Sequence, residues 1–277
     1  MINQYLANLE ARANEAIKTE EGDFIKDGLL HCGKCGTPKQ CRVNLLGKII
    51  SPKCLCKCEA EKIKQEEERA KRKELEERIK RYRKMGFPES QMQYWTFEND
   101  DLGNEKLSNM AKRYVDNFRE FYKEGKGLLL HGGVGTGKTY IACMIANALI
   151  DKGYPVLVTN FARILSTLQG TFDKQEYLDS LNQFKLLVID DLGIERDTGY
   201  AKEQVFNIID SRYRAGLPMI ITTNLTMQEL ATENNIADKR VYDRIIERCF
   251  PVEVSGESRR KKKLINSFDD MKSKLGI

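Results

Sequence analysis

The chain has 277 residues, is 41% hydrophobic, and carries 46 Lys and Arg against 41 Asp and Glu, a net charge of +5. That length allows a large domain with a full core plus a smaller appendage, and the mild basic excess gives no general case for a nucleic-acid coat. No apolar stretch is long enough to span a bilayer, and Met1-Ile2-Asn3-Gln4 lacks the basic-then-apolar layout of a signal peptide, so a cytoplasmic protein without membrane contact is predicted.

From the start, Leu6, Leu9, Ala13 and Ile17 recur at helical spacing within Met1 to Glu21, which predicts an amphipathic helix, either gripping a partner or capping the segment that follows. In that segment, six of the eight cysteines fall between Cys32 and Cys58. In a reducing compartment such clustering favours a thiolate-bound metal over disulfides. Cys32-Gly33-Lys34-Cys35 reads as a tight knuckle, and Cys54-Leu55-Cys56-Lys57-Cys58 returns three thiols after a turn near Gly47. The expected Zn²⁺ ligands are Cys32, Cys35, Cys56 and Cys58, with Cys54, Cys41 and His31 as substitutes, in a zinc ribbon. An iron–sulfur cluster is the rival reading, since thiolate softness does not separate the two. No Glu or His stands ready to work on a bound water, so the metal's expected role is folding a segment with few core residues. Cys143 and Cys249 lie in apolar segments and read as core. Residues 1–58 are therefore expected to form a helical, Cys-rich domain.

Residues 59 to 84 alternate Glu with Lys and Arg, and Ile63, Leu75 and Ile79 are too sparse for a buried stripe. A solvated connector helix supported by charge pairs is predicted, terminated at Gly86-Phe87-Pro88 to give a linker over 59–87. From residue 88 to 277 the pattern becomes α/β. Strands are predicted at Leu128 to His131, Pro155 to Thr159, Phe184 to Asp190, Leu217 to Thr222 and Phe250 to Val254. Helices lie between them, notably Lys138 to Ile150 and Glu203 to Tyr213. Short apolar strands alternating with helices imply a five-stranded parallel sheet covered on both faces.

The first of these strands runs into Gly132-Gly133-Val134-Gly135-Thr136-Gly137-Lys138-Thr139. This is a phosphate-binding P-loop: its glycines let backbone N–H groups turn around an anion, and the next helix aims its positive end there. The cradle runs from Gly132 to Tyr140, with Lys138 on the β- and γ-phosphates of ATP and Thr139 on Mg²⁺. A Gly-rich hairpin is the plain alternative, and it leaves Lys138-Thr139 unexplained. Leu186-Leu187-Val188-Ile189-Asp190-Asp191 reads as a Walker B strand, in which Asp190 shares the Mg²⁺ with Thr139 and Asp191 orients the attacking water. Asn224, after Met219 to Thr223, reads as the γ-phosphate sensor called sensor 1 or as an ordinary Asn turn. Arg240, Arg244 and Arg248 share one helix face, where they either pair with acids or offer an arginine finger to a neighbouring subunit. The run Arg259 to Lys263 touches phosphate or is solvated, and Arg260 is the candidate for the subunit's own nucleotide.

Across Tyr94 to Lys263 the arrangement resembles the AAA+ ATPases, and within them bacterial helicase loaders of the DnaC and DnaI type. Its carriers are the P-loop, Leu187-Val188-Ile189-Asp190-Asp191-Leu192-Gly193, Ile221-Thr222-Thr223-Asn224-Leu225 and Arg240-Val241-Tyr242-Asp243-Arg244-Ile245. The resemblance implies that Arg244 is the trans-acting finger and Arg260 the sensor 2 residue. It implies self-association through AAA+ interfaces, an N-terminal domain that grips a DnaB-type replicative helicase, and action on single-stranded DNA. It also sets Tyr94-Trp95-Thr96-Phe97 near the adenine, and Phe161 with Arg163 on a DNA-lining helix; aromatic core packing is the alternative for both. Asp191 stands where many AAA+ proteins carry Glu, which predicts slow hydrolysis. An IstB-type transposition helper has a similar core, although the cysteine module argues against it, and a nucleotide-switch adaptor that never hydrolyses ATP is a third reading.

Overall fold

The computed structural model describes residues 19–45, 47–100, 104–193, 198–232 and 235–258, together with 268, 271, 272, 274 and 275. The expected helix over Met1 to Glu21 lies outside them except for its last three residues, as do Arg260 and the basic run 259–263. Contacts divide the chain into two compact units at Glu76 and Glu77.

In the first unit, β1 (Phe24–Lys26) and β2 (Leu29–His31) form one antiparallel hairpin, and β3 (Val43–Leu45) and β4 (Lys48–Ile50) form another. Asp27 and Gly28 turn the first hairpin with φ of 53° and 73°. Left-handed geometry at both centres is what a right-twisted two-residue hairpin requires, and Asp-Gly is a favoured pair for it. Helix α1 (Lys57–Gly86) begins in this unit, where its side chains are largely exposed and Lys62 pairs with Glu66 one turn on at 3.9 Å.

From Glu77 onward the same helix belongs to the second unit. Ile79 and Tyr82 pack against that unit's core, and Arg83 pairs with Asp151. Gly86 lies so close to the sheet of this same unit that a Cβ there would sit 2.6 Å from the Val156 carbonyl oxygen. The helix is thus solvated over its first two thirds, while its end is packed on a core through Ile79 and Tyr82.

The second unit holds α2 (Glu105–Asp116), α3 (Phe118–Glu124), β5 (Gly127–His131), α4 (Lys138–Asp151), β6 (Val156–Asn160), α5 (Phe161–Gly170), α6 (Lys174–Leu181), β7 (Leu186–Leu192), α7 (Gly199–Arg214), β8 (Met219–Thr223), α8 (Met227–Ala231), α9 (Ile236–Arg248) and β9 (Cys249–Glu253). The five strands run parallel in the order β6-β7-β8-β5-β9. Side chains at helix entrances satisfy orphan backbone donors: Asn104, Asn160, Asp173 and Thr198 each cap a helix, and Thr226 with Glu229 forms a reciprocal capping box. One apolar layer gathers Ala111, Phe118, Ile141, Ile145 and Leu149, and the opposite layer Phe161, Ile164, Ile209, Val241 and Ile245. With both faces covered, the strands must be apolar along their length, as Leu128-Leu129-Leu130 and Leu186 to Ile189 are. Close strand approach is set by Gly127, where a Cβ would fall 1.7 Å from the Met219 carbonyl oxygen. None of the described helices is long and apolar enough to cross a membrane.

Candidate nucleotide site and cysteine cluster

The strand order places β5 beside β8 and β8 beside β7, so the three segments that carry polar residues end side by side at the carboxyl edge of the sheet, where such sheets bind ligands. The loop after β5 turns at Gly132, Gly135 and Gly137, with φ of 140°, 81° and 104°. Gly137 caps α4, and Thr136 braces the bend by donating to the Gly133 carbonyl at 3.0 Å. The first turn of α4 therefore points its unpaired N–H groups into the loop, as an anion site requires.

Lys138 is buried and donates to the carbonyls of Gly132 and Gly133 and to Asn224 Oδ1, each at 2.8 Å. The P-loop lysine and Asn224, 86 positions apart, are thus already in contact. Thr139 donates to Asp190 Oδ1 at 2.8 Å, and Thr222 donates to the same oxygen at 2.6 Å. Burial pushes the Asp190 carboxyl above its ordinary range, while the hydroxyls of Thr222 and Thr139 draw it back. A divalent cation bound at this pair of oxygens would favour the ionised form.

Pairing of β7 with β8 slips at this point: Ile189 faces Ile221, but Leu192 faces Thr223. Two acids therefore oppose Thr222 alone, which is a bulge. Asp191 takes the left-handed conformation with φ of 59°, and its N–H donates to Thr222 Oγ1 at 2.9 Å. The bulge takes Asp191 out of the regular pleat that Asp190 follows, giving the two acids different backbone settings. Among L-residues Asp and Asn tolerate this conformation best, which is a physical reason for Asp rather than Glu here. Thr222 was not among the residues expected from sequence. The signal that points to it is its place two residues before Asn224, which the strand period brings to the same edge.

Trp95 stacks against Tyr140 at 5.5 Å between centroids, and Asn147 of α4 donates to the Met92 and Trp95 carbonyls at 2.9 and 3.0 Å. The segment before the core is thus tied to the P-loop helix, with Tyr94 exposed and Trp95 and Phe97 partly packed on the core. After β9, the chain passes over the loop: a Cβ on Gly135 would lie 2.3 Å from Ser258 Oγ, and one on Gly132 2.5 Å from the Val254 carbonyl oxygen.

Arg240, Arg244 and Arg248 lie on α9, and the last two face α7. Arg244 Nε donates to Asp210 Oδ1 at 2.8 Å and its guanidinium sits 4.6 Å over Phe206; Arg248 lies 4.8 Å over Tyr213. Arg240 is exposed. Of the two readings of Phe161 the core one holds: it is 1% exposed and belongs to the core, so it is not available to stack on a base, whereas Arg163 is exposed. Cys143 and Cys249 are buried core residues, as their apolar context implies, and burial raises both thiols, Cys249 to about 12.

In the first unit the sulfurs of Cys32, Cys35, Cys56 and Cys58 all lie within 4.8 Å of one another. Cys58 Sγ is 3.6 Å from Cys32 Sγ and 3.4 Å from Cys56 Sγ. A tetrahedral zinc with bonds of about 2.3 Å has sulfur–sulfur edges of about 3.8 Å, so the four residues fit the ion. The substitutes stand aside: Cys54 donates to the Pro38 carbonyl, Cys41 is exposed, and His31 stacks on Phe24. Crowding by Cys56, Cys32 and Cys35 pushes the Cys58 thiol up to about 12, while the Thr37 hydroxyl lowers Cys35 to about 5. The knuckle is built by Cys32 N–H donating to Thr37 O and Gly36 N–H to Cys32 O, with Asp23 accepting from Gly33 N–H at 2.9 Å. Asp23 is held near pKa 2 by the Lys39 ammonium, 2.6 Å away.

A parallel five-stranded sheet, a P-loop, an acid pair and an asparagine just past the end of the adjoining strand define a P-loop ATP-binding unit of the AAA+ type. Sequence comparison agrees: the profile of the family described as IstB-like ATP binding protein matches residues 59–267, and the chain belongs to that family. It is 28% identical over 181 residues to the replicative helicase loader DnaI of Bacillus subtilis (strain 168), covering 60% of this chain and 58% of that one. It is 31% identical over 158 residues to the replicative helicase loader DnaC of Escherichia coli (strain K12), covering 54% and 62%. The chain thus spans about three fifths of the length of these relatives. A crystal structure of DnaI superposes with a TM-score of 0.54 at 28% identity, covering 65% of this chain and 99% of that one.

Proposed function

We propose that this protein is an ATP-controlled loader that delivers a hexameric DnaB-type replicative helicase onto single-stranded DNA in the cytoplasm. The observation that carries the reading is the joining of Lys138 to Asn224 and of Thr139 to Asp190 across three neighbouring strands, in a chain whose relatives are named as helicase loaders. Lys138 exchanges its loop carbonyls for β- and γ-phosphate oxygens, the N–H groups from Gly132 to Tyr140 cradle them, and Asn224 follows the γ-phosphate. Thr139 and Asp190 hold Mg²⁺, which supplies charge neutralisation to the phosphates. Asp191, held in a left-handed backbone at the bulge, orients the water, so that turnover yields ADP and phosphate slowly. Arg244, held straight by Asp210 and Phe206, is offered to the nucleotide of an adjoining copy, and Arg260 serves the subunit's own. Arg163 contributes a phosphate contact to DNA.

The cysteine module supplies the helicase-binding end. Zinc, when bound, closes the four-thiolate tetrahedron of Cys32, Cys35, Cys56 and Cys58 and contributes the folding energy that so small a unit lacks. Phe24, Ile25, Val43, Ile49 and Leu55 are exposed in this unit, more apolar surface than a module without a partner needs. ATP favours the loaded state and hydrolysis lowers affinity, a cycle of differential binding. The test is to mix the chain with a hexameric helicase, with and without ATP, and size the products beside Lys138→Ala. A nucleotide-dependent complex lost in the variant supports the reading; full partner binding by Lys138→Ala counts against a nucleotide-gated loader. Capture of a transposase instead would favour the IstB-type helper, and ATP binding without steady-state turnover would favour the adaptor.

A further inference from the structure

We infer that Thr222 is a positioning residue that divides the Asp190-Asp191 pair into a metal-holding and a water-orienting acid; this rests on the ATPase reading above. Its hydroxyl is fully buried on β8 and spends both of its bonding capacities on the two acids. It donates to Asp190 Oδ1 at 2.6 Å and accepts the Asp191 N–H at 2.9 Å. It is also the residue opposite the bulge, where pairing jumps from Ile189–Ile221 to Leu192–Thr223.

These facts have one physical consequence. A left-handed, non-glycine residue is disfavoured and persists only where its surroundings hold it. Here the extra residue in β7 leaves the Asp191 N–H without a ladder partner, and the Thr222 oxygen replaces that partner. Thr223 closes the far side by donating to the Leu192 carbonyl at 2.8 Å. Thr222 thereby orients the Asp190 carboxylate through its proton and fixes the direction of the Asp191 side chain through its lone pair. Valine has nearly the same shape and can do neither. Serine can do both.

The predicted phenotype is a split between binding and turnover. Nucleotide binding rests on the loop and Lys138, whereas the Thr222 hydroxyl bonds to Asp190 and Asp191, so Thr222→Val retains ATP affinity within about threefold. Its kcat falls at least about tenfold, the scale of losing one oriented catalytic group. Thr222→Ser recovers kcat to within about threefold of the parent. The experiment measures Mg-dependent ATP turnover over a range of ATP concentrations and, separately, equilibrium binding of a fluorescent ATP analogue, for the full chain and both variants. Thr222→Ala, which also lacks the hydroxyl without adding bulk, stands in for the valine variant should that one not fold. Unchanged kcat in the hydroxyl-free variant overturns the inference. So does an equal loss of affinity and turnover, which marks a purely structural residue, and so does a serine variant as impaired as valine. Failure of the parent chain itself to bind the analogue or turn over ATP would instead strike the ATPase reading, a result distinguishable because it precedes any substitution.

Discussion

Lys138 shows how a single side chain can hold a site ready. Its three 2.8 Å contacts, to Gly132, Gly133 and Asn224, keep the loop bent until phosphate oxygens take the place of the two carbonyls, so that the backbone needs little rearrangement on binding. Replacing it by alanine is expected to lower ATP affinity about a hundredfold, or ~2.7 kcal/mol, measured by fluorescent nucleotide titration. Asp191 presents the opposite trade, since its φ of 59° is strained for a residue with a Cβ. Asp191→Gly is expected to raise the melting midpoint by about 2–4 °C, from ~1 kcal/mol of relieved strain, while abolishing turnover. A lower midpoint would mean that the carboxylate stabilises the bulge by more than its conformation costs. Both residues are legible in sequence as motif members. Their conformations are not, because the bulge depends on how β7 and β8 register, and no local pattern in either strand encodes a slip between them.

At the scale of elements, Arg212 of α7 does structural work that its charge conceals in the sequence. It is 1% exposed, and its guanidinium donates to the carbonyls of Leu181, Phe184 and Pro218. These oxygens lie at the end of α6, before β7 and before β8, so one planar fork stitches three connections behind the strands that carry Asp190, Asp191 and Thr222. Burial lowers its pKa to about 10, which leaves it charged at neutral pH. Arg212→Met is expected to cost about 3 kcal/mol in urea unfolding, because buried carbonyls lose their donors. Arg212→Lys should recover little of that, since an ammonium cannot span all three. A loss below ~1 kcal/mol for Arg212→Met would show that water takes over the carbonyls. The arginine row on α9 was easier to anticipate: helical spacing put Arg244 and Arg248 on one face, and α7 supplies Asp210, Phe206 and Tyr213 opposite. Phe161 was harder, because an aromatic at the start of a helix reads equally well as ligand or core until the helix is docked.

For the molecule as a whole, the division at Glu76 and Glu77 predicts independent responses to metal removal. The parent chain should hold one zinc by elemental analysis, kept in Cys41→Ser and Cys54→Ser and lost in Cys56→Ser. Chelation should abolish amide-exchange protection across residues 23–58 while leaving ATP affinity and the melting of the larger unit unchanged. Loss of nucleotide binding on chelation would show that the two units are energetically one.

Motif chemistry and alternating apolar periods were enough to determine the class of fold, the phosphate loop and the clustering of four cysteines, and to single out Asp190, Asp191 and Asn224 as candidates, since each depends on residues close in the chain or on spacings that few other structures share. Tertiary structure alone decided that Lys138 meets Asn224, that Thr222 joins both acids across a register slip, that Phe161 faces inward, and that the end of the charged helix is packed rather than solvated. Those outcomes depend on which strands become neighbours and how they register, a long-range balance of burial and backbone hydrogen bonding that no local pattern records.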